Sequence, residues 1–187
     1  MAPLVIFDPS LVLLVGAAGS GKTTLATRLF AADEVVSSDA LRAAVAGDEA
    51  DQTASRVAFR ILHRTLDRRL ARGQLTVIDA TNAFAAHRWP LIRRATAASL
   101  PVVAIVFDLD RRVVHAQNAG RARIVDAAVV DRHLAAIRAT IDRNELVAEG
   151  FASVVVLRSP EEAAALVIGR EPAPLEEGLP PSSPPRR

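Results

Sequence analysis

An α/β fold, with a parallel five-stranded sheet and helices on both faces, is what this sequence predicts. Three observations predict it. Short, nearly wholly apolar runs recur along the chain, longer segments of helical periodicity separate them, and a glycine-rich turn links one apolar run to the first helix. Strands buried on both faces need apolar residues throughout, not at alternate positions. LVLLV (11–15), EVVSS (34–38), LTVID (75–79), VVAIVFD (102–108) and SVVVL (153–157) come close to that condition. The helical patterns between and after them cover 21–31, 39–46, 51–72, 84–99, 110–119, 126–149 and 160–169.

Each element has its reason. The opening, MAPLVIFDPSLVLLVG, is apolar but lacks a basic lead and is interrupted by Asp8 and Pro9, so it reads as buried strand and not as a signal peptide. The helix over 51–72 is the most periodic. Val57, Ile61, Leu62, Leu66 and Leu70 form its apolar stripe, while Arg56, Arg60, Arg64, Arg68 and Arg72 recur every fourth residue on another face. That basic ridge has two readings, a solvated face or a nucleic-acid contact, and the solvated face is the commoner cause. The segment 110–145 is charged and mostly helical between two buried strands, which is the pattern of a lid. EPAPLEEGLPPSSPPRR (171–187) holds too little apolar surface to order itself and reads as a flexible tail after a single domain over 1–170.

Composition excludes several classes. Half the residues are apolar, yet no apolar run is long enough to span a bilayer, so no membrane partner is expected. Cysteine is absent, which rules out disulfides and thiolate metal sites and fits a cytoplasmic protein. The net charge of +2 says little about an anionic partner, because distribution matters more than total. Oligomeric state and the role of the tail stay open.

All but one of the 23 basic residues are arginine, and the exception is Lys22. It lies in VGAAGSGKTT (15–24), where Gly16, Gly21, Lys22 and Thr23 complete the spacing G-x-x-x-x-G-K-[ST] between a buried strand and a helix. Gly16, Gly19 and Gly21 allow a tight backbone curl. The N–H groups of Gly16, Ala17, Ala18, Gly19, Ser20, Gly21, Lys22, Thr23 and Thr24 can then converge on phosphate oxygens at a helix N-terminus. A lysine here is a compact charge for the β- and γ-phosphates, where the broad arginine fork does not fit. The Thr23 hydroxyl can ligate Mg²⁺, and ATP is the expected nucleotide.

Two strand ends narrow the chemistry. SSDALR places Asp39 and Arg42 one helical turn apart, so both can face one cleft. Asp39 can take a proton from an acceptor hydroxyl and Arg42 can hold an anionic acceptor group. A structural alternative is that Ser37, Ser38 or Asp39 caps the helix. IDATN places Asp79 where a strand-end carboxylate supports Mg²⁺ through water. Thr81 and Asn82 can orient that carboxylate or line the acceptor site, and Asn82 can equally cap the next helix. Within the lid, Arg121 and Arg123 are the first choices to meet the transferring phosphoryl group, ahead of Arg111, Arg112, Arg132, Arg138 and Arg143. Surface ion pairs with Asp110, Asp126 and Asp131 are the structural alternative. His63, His87, His115 and His133 show no metal-ligand spacing and are assigned no role, and Asp110 reads as a helix cap.

GAAGSGKTT, SSDALR, DATN, FDLD and HAQNAGRARIVD together resemble the polynucleotide kinase-like family of P-loop phosphotransferases over about residues 9–160. The resemblance implies the strand order 2-3-1-4-5 and transfer of the ATP γ-phosphate to a 5′-hydroxyl end of RNA or DNA. It makes Asp39 the general base and Arg42 the contact to an acceptor phosphate. It also makes Lys22 and a lid arginine the stabilisers of the γ-phosphoryl group, and Thr23 the metal ligand. The chain departs from the family at Gln117-Asn118, where Arg-Asn is usual, and at Val125-Asp126, where Val-Pro is usual. Two other readings remain: a kinase for a small metabolite or antibiotic, and an ATP-gated binding module without turnover.

Overall fold

The computed structural model describes residues 3–45 and 52–173. Its elements are β1 (Leu4–Asp8), β2 (Leu11–Val15), α1 (Lys22–Leu29), β3 (Val35–Ser37), α2 (Ser38–Val45), α3 (Gln52–Leu70), β4 (Thr76–Asp79) and α4 (Ala85–Ala97). Then come β5 (Val102–Phe107), α5 (Arg111–Ala119), α6 (Ala127–Asp142), α7 (Glu145–Glu149), β6 (Ser153–Leu157), α8 (Pro160–Ala165) and β7 (Ile168–Pro172). The main sheet runs β3-β4-β2-β5-β6 with every pair parallel. This is the expected 2-3-1-4-5 order of the five predicted strands.

Burial follows the sequence pattern. Leu11, Leu13 and Val15 of β2 join the core under α3 and α4, with Leu62, Leu66, Leu91 and Ile92. Val12 and Leu14 point the other way, against Leu25, Ala26 and Phe30 of α1 and its end, Val114 of α5 and Val130 of α6. The unbroken apolar run of β2 is therefore two alternating half-faces, one for each helical layer. On α3, Leu62, Leu66 and Leu70 of the apolar stripe are buried and Val57 and Ile61 half-buried, while Arg56, Arg60, Arg64 and Arg68, with Arg72 just past the helix, are exposed.

Several boundaries differ from expectation. The opening segment is two strands, not one. β1 stands outside the main sheet and pairs in parallel with β7, from Leu4 opposite Ile168 to Asp8 opposite Pro172. The helix expected over 160–169 stops at Ala165, because the chain turns back into β7. That strand reaches two residues into the stretch read as tail, and 174–187 lie outside the described residues. The helix expected over 126–149 is two helices, since Asn144 takes a left-handed φ of 53° that ends α6 and starts α7.

The break lets Glu149 of α7 reach Arg88 of α4, a fully buried arginine. Arg88 donates to both Glu149 carboxylate oxygens at 2.7 and 2.5 Å and to the carbonyls of Asn82 and Ala83 at 2.9 and 3.0 Å. The turn after β4 is thus anchored from beneath. No described helix is long and apolar enough to cross a membrane.

Candidate active site

The phosphate loop owes its shape to two glycines. Gly19 and Gly21 have φ of 83° and 90°, in the left-handed region that side chains resist. At Gly19 space is also decisive: a Cβ would lie 2.6 Å from the Val114 carbonyl oxygen and 2.8 Å from the Asn118 nitrogen. The loop therefore packs directly on the backbone of α5. Its start is tied to the neighbouring strand end, because the Gly16 N–H donates to the Thr81 carbonyl at 3.0 Å.

Lys22 opens α1 and is buried. Its Nζ donates to the Ala17 carbonyl at 2.8 Å and to Ser20 Oγ at 3.4 Å. Burial pushes its pKa down to about 8, Asp79 and Asp39 oppose that shift, and Arg121 adds to it. Thr23, next on the helix, donates its hydroxyl to Asp79 Oδ2 at 2.7 Å, joining the loop to the end of β4. A hydroxyl and a carboxylate in contact at the mouth of a phosphate loop suit Mg²⁺, which takes few protein ligands and keeps several waters. Thr23 would hold the ion directly and Asp79 through water.

The second half of the cleft comes from α2 and the lid. Asp39 forms an ion pair with Arg42 one turn on, and Arg121 of the lid reaches the other Asp39 oxygen at 3.6 Å. Ser37 accepts from the Ala40 N–H at 3.4 Å, so capping at this helix start falls to Ser37 and leaves Asp39 facing the cleft. The lid turn that carries Arg121 and Arg123 is pinched shut by buried Asn118. Its amide donates to the Val125 carbonyl at 2.7 Å and accepts from the Val125 N–H at 3.2 Å. Gln117, Arg121 and Arg123 all line the cleft.

One cleft of about 950 Å³ gathers the loop from Ala18 to Thr24 with Asp39, Arg42, Asp79, Thr81, Arg121 and Arg123. Its lining sets Lys22, Arg28, Arg42, Arg121 and Arg123 against the carboxylates of Asp39 and Asp79. That excess of cations suits a polyanion. Gly16 and Ala17 form the loop's base, where Ala17 is fully buried.

Asn82 is the expected acceptor contact that the structure places elsewhere. It is buried at a left-handed φ of 46°, and its amide donates to the Leu14 carbonyl at 2.8 Å. It braces the strand below the loop and lies outside the cleft lining, and α4 begins without a side-chain cap from it. The remaining lid arginines also work elsewhere. Arg111 makes a two-pronged pair with Asp131 at 2.7 and 2.6 Å, and Arg138 pairs with Asp108 at 2.6 Å. Asp110 caps α5 through the Arg112 N–H at 2.8 Å, as expected. His115 sits 2.7 Å from Asp131, whose carboxyl Arg111 and His115 hold far below the usual range.

Sequence reasoning missed Arg28, Arg88 and His133. Arg28 lines the cleft and donates to the Leu166 and Ala163 carbonyls at 3.0 and 2.7 Å, tying α1 to the end of α8. His133 lines the cleft one turn after Val129. The spacing 125, 129, 133, 137 carries that face of α6, and it was legible as a helical stripe.

A family model described as AAA domain matches residues 11–144. No curated protein sequence matches the chain. Among solved structures, a gluconokinase from Sinorhizobium meliloti has a TM-score of 0.58 at 13% identity, covering 87% of this chain and 89% of that one. A sugar kinase from Janibacter sp. gives 0.56 at 23% identity, with coverage of 83% and 90%. A chain of the Pnkp1/Rnl/Hen1 RNA repair complex gives 0.61 at 21% identity, covering 74% of this chain and 47% of that one. At these identities the likeness is one of fold, a P-loop kinase-type sheet with its helices. The matched span takes in the phosphate loop, both strand-end carboxylates and the lid, and on that match the chain belongs to the AAA domain family.

Proposed function

We propose that the protein transfers the γ-phosphoryl group of Mg²⁺-bound ATP to a hydroxyl, and that the acceptor is the 5′-hydroxyl end of RNA or DNA. One observation carries the reading. Asp39 stands in the same cleft as Lys22, Thr23 and Asp79, held between Arg42 of its own helix and Arg121 of the lid. A simple nucleotide switch needs no carboxylate with two arginines facing its phosphate loop.

The chemistry follows from those positions. The acceptor oxygen bonds to the γ-phosphorus as the bond from that phosphorus to the β-bridging oxygen breaks, and ADP leaves. Asp39 takes the acceptor proton. Lys22, Arg121 and Arg123 offset the charge on the equatorial oxygens, and Arg42 holds an anionic group of the acceptor. Bound Mg²⁺ supplies further charge compensation on the phosphates. The lid excludes water, which would otherwise compete as acceptor.

A second reading, a small sugar or sugar-acid acceptor, is favoured by coverage. This chain spans nearly all of the gluconokinase and the sugar kinase but under half of the RNA repair chain. The test is label transfer from γ-labelled Mg·ATP to 5′-hydroxyl RNA, 5′-hydroxyl DNA and D-gluconate in parallel. Labelled oligonucleotide ends are expected. Labelled gluconate with unlabelled ends would move the acceptor to the small-metabolite class. Tight ATP binding with transfer to none of them, nor to other small hydroxylated acceptors, would leave the binding-module reading.

A further inference from the structure

Among the lid side chains that line the cleft, His133 is a titratable one that the transfer scheme leaves unused. His133 lines the cleft from α6, and its ring meets that of Phe84 edge-on with centroids 5.6 Å apart. Phe84 in turn meets the His87 ring edge-on at 5.6 Å. The His133 Nδ1 is closed to water and has no hydrogen-bond partner. Leaving a buried polar nitrogen unpaired costs the free energy of its lost hydration. Such atoms are few in folded proteins, and each one calls for a physical explanation.

Position supplies one. Arg28 of α1 and Pro160 and Ala163 of α8 line the cleft beyond the phosphate loop. His133 lies toward the opposite side, beside Phe84 and His87 from the segment after β4, the strand whose end contributes Ala80 and Thr81 to the cleft wall. In the sheet β4 neighbours β3, the strand that leads into Asp39 and Arg42, so His133 lies toward the side on which the proposed acceptor would enter. The charged and titratable groups facing the imidazole are Arg132 of its own helix, Lys22 of α1 and His87 of α4. All three, together with burial as the largest cause, hold its pKa below the ordinary histidine value. A neutral imidazole offers one donor and one acceptor and suits an uncharged polar group better than a phosphate.

We propose that His133 Nδ1 finds its missing partner on the acceptor, hydrogen-bonding an uncharged polar group next to the hydroxyl that Asp39 deprotonates, and so determines acceptor specificity. A half-turn of the ring about Cβ–Cγ exchanges Nδ1 with Cδ2 in the same ring plane and so would turn Nδ1 away from its closed position. A sugar hydroxyl and a nucleobase edge share the required chemistry. The proposal rests on the phosphotransferase reading given above.

The test compares wild type with His133→Phe, which keeps the ring contact without a nitrogen, and His133→Asn, which restores a polar group near Nδ1. Acceptors are a 5′-hydroxyl oligonucleotide, the same oligonucleotide with an abasic 5′ residue, and D-gluconate. In His133→Phe the acceptor KM rises tenfold or more while kcat stays within threefold and ATP affinity within twofold. His133→Asn recovers most of the loss. A penalty that disappears with the abasic end assigns the contact to the base, and one that persists assigns it to the sugar. Unchanged acceptor KM in His133→Phe, or an equal loss of ATP affinity, overturns the proposal while leaving phosphotransfer intact. If wild type transfers to no probe, side-chain ¹⁵N spectra with Mg·AMP-PNP present decide separately. A His133 Nδ1 shift on adding oligonucleotide or gluconate sustains the contact although the transfer reading has failed, and an unmoved signal removes both.

Discussion

The phosphate loop and the lid turn both line one cleft and are held by different sets of contacts. The loop side is fastened by buried hydrogen bonds: Gly16 to Thr81, Lys22 to Ala17, Asn82 to Leu14, and Arg88 to the carbonyls of Asn82 and Ala83. The lid helices α5 and α6 share the apolar core through Val114 and Val130, and at the surface they are joined by ion pairs, with the Arg111 side chain 69% exposed in its pair with Asp131. Buried pairs are costly to break from one side, whereas exposed pairs contribute little. On the proposed function, the half that cradles phosphates is pre-organised, while on the lid it is the surface pairs that are cheap to break.

Substitutions can break or sharpen this contrast, and the largest effect is expected under the loop. Arg88→Ala leaves Glu149 charged and buried and frees two carbonyls, so denaturant unfolding should show a loss of about 3–5 kcal/mol. Gly19→Ala combines an unfavourable φ with a clash against the backbone of α5. It should cost about 1–3 kcal/mol and weaken ATP binding, because loop and helix must separate, as calorimetric titration would register.

Lys22 gives an effect of opposite sign. Its folded pKa of about 8 lies below its unfolded value. The unfolded chain therefore binds the proton more tightly, and this group's contribution to stability rises with pH between those two values. Lys22→Met should abolish ATP binding yet raise the melting temperature of the ligand-free protein, by the equivalent of about 1–3 kcal/mol. In wild type, ATP phosphates restore the lysine's charge. Calorimetry in buffers of differing ionisation heat should show proton uptake on ATP binding above pH ~8 and almost none a unit or more below. The smallest effect belongs to the lid surface: Asp131→Asn should leave the melting temperature and ATP affinity unchanged within error.

What was legible in the sequence was what local rules determine. Continuous apolar runs marked all five strands of the main sheet, and the loop spacing placed Gly16 to Thr24 at a helix start. The Asp-x-x-Arg spacing put Asp39 and Arg42 on one side of α2. The misses are long-range. Nothing near Leu4 says that it pairs with Ile168, and nothing near Arg88 announces Glu149 as its partner. Asn82 shows the limit most clearly. A polar residue beside a strand end reads as a ligand contact, but its amide is spent on the Leu14 carbonyl one strand away. His133 has no assigned role in the sequence because the four histidines show no metal-ligand spacing, and only the packed lid reveals its unpaired nitrogen.

The central claim is that one half of the cleft binds ATP and the other activates an acceptor. Asp39→Asn tests it most directly, by measuring Mg·ATP affinity and γ-phosphoryl transfer on the same preparation. The account predicts affinity within about twofold of wild type and transfer reduced by about 10²–10⁴. Transfer retained at wild-type rate would contradict it and remove Asp39 as the base.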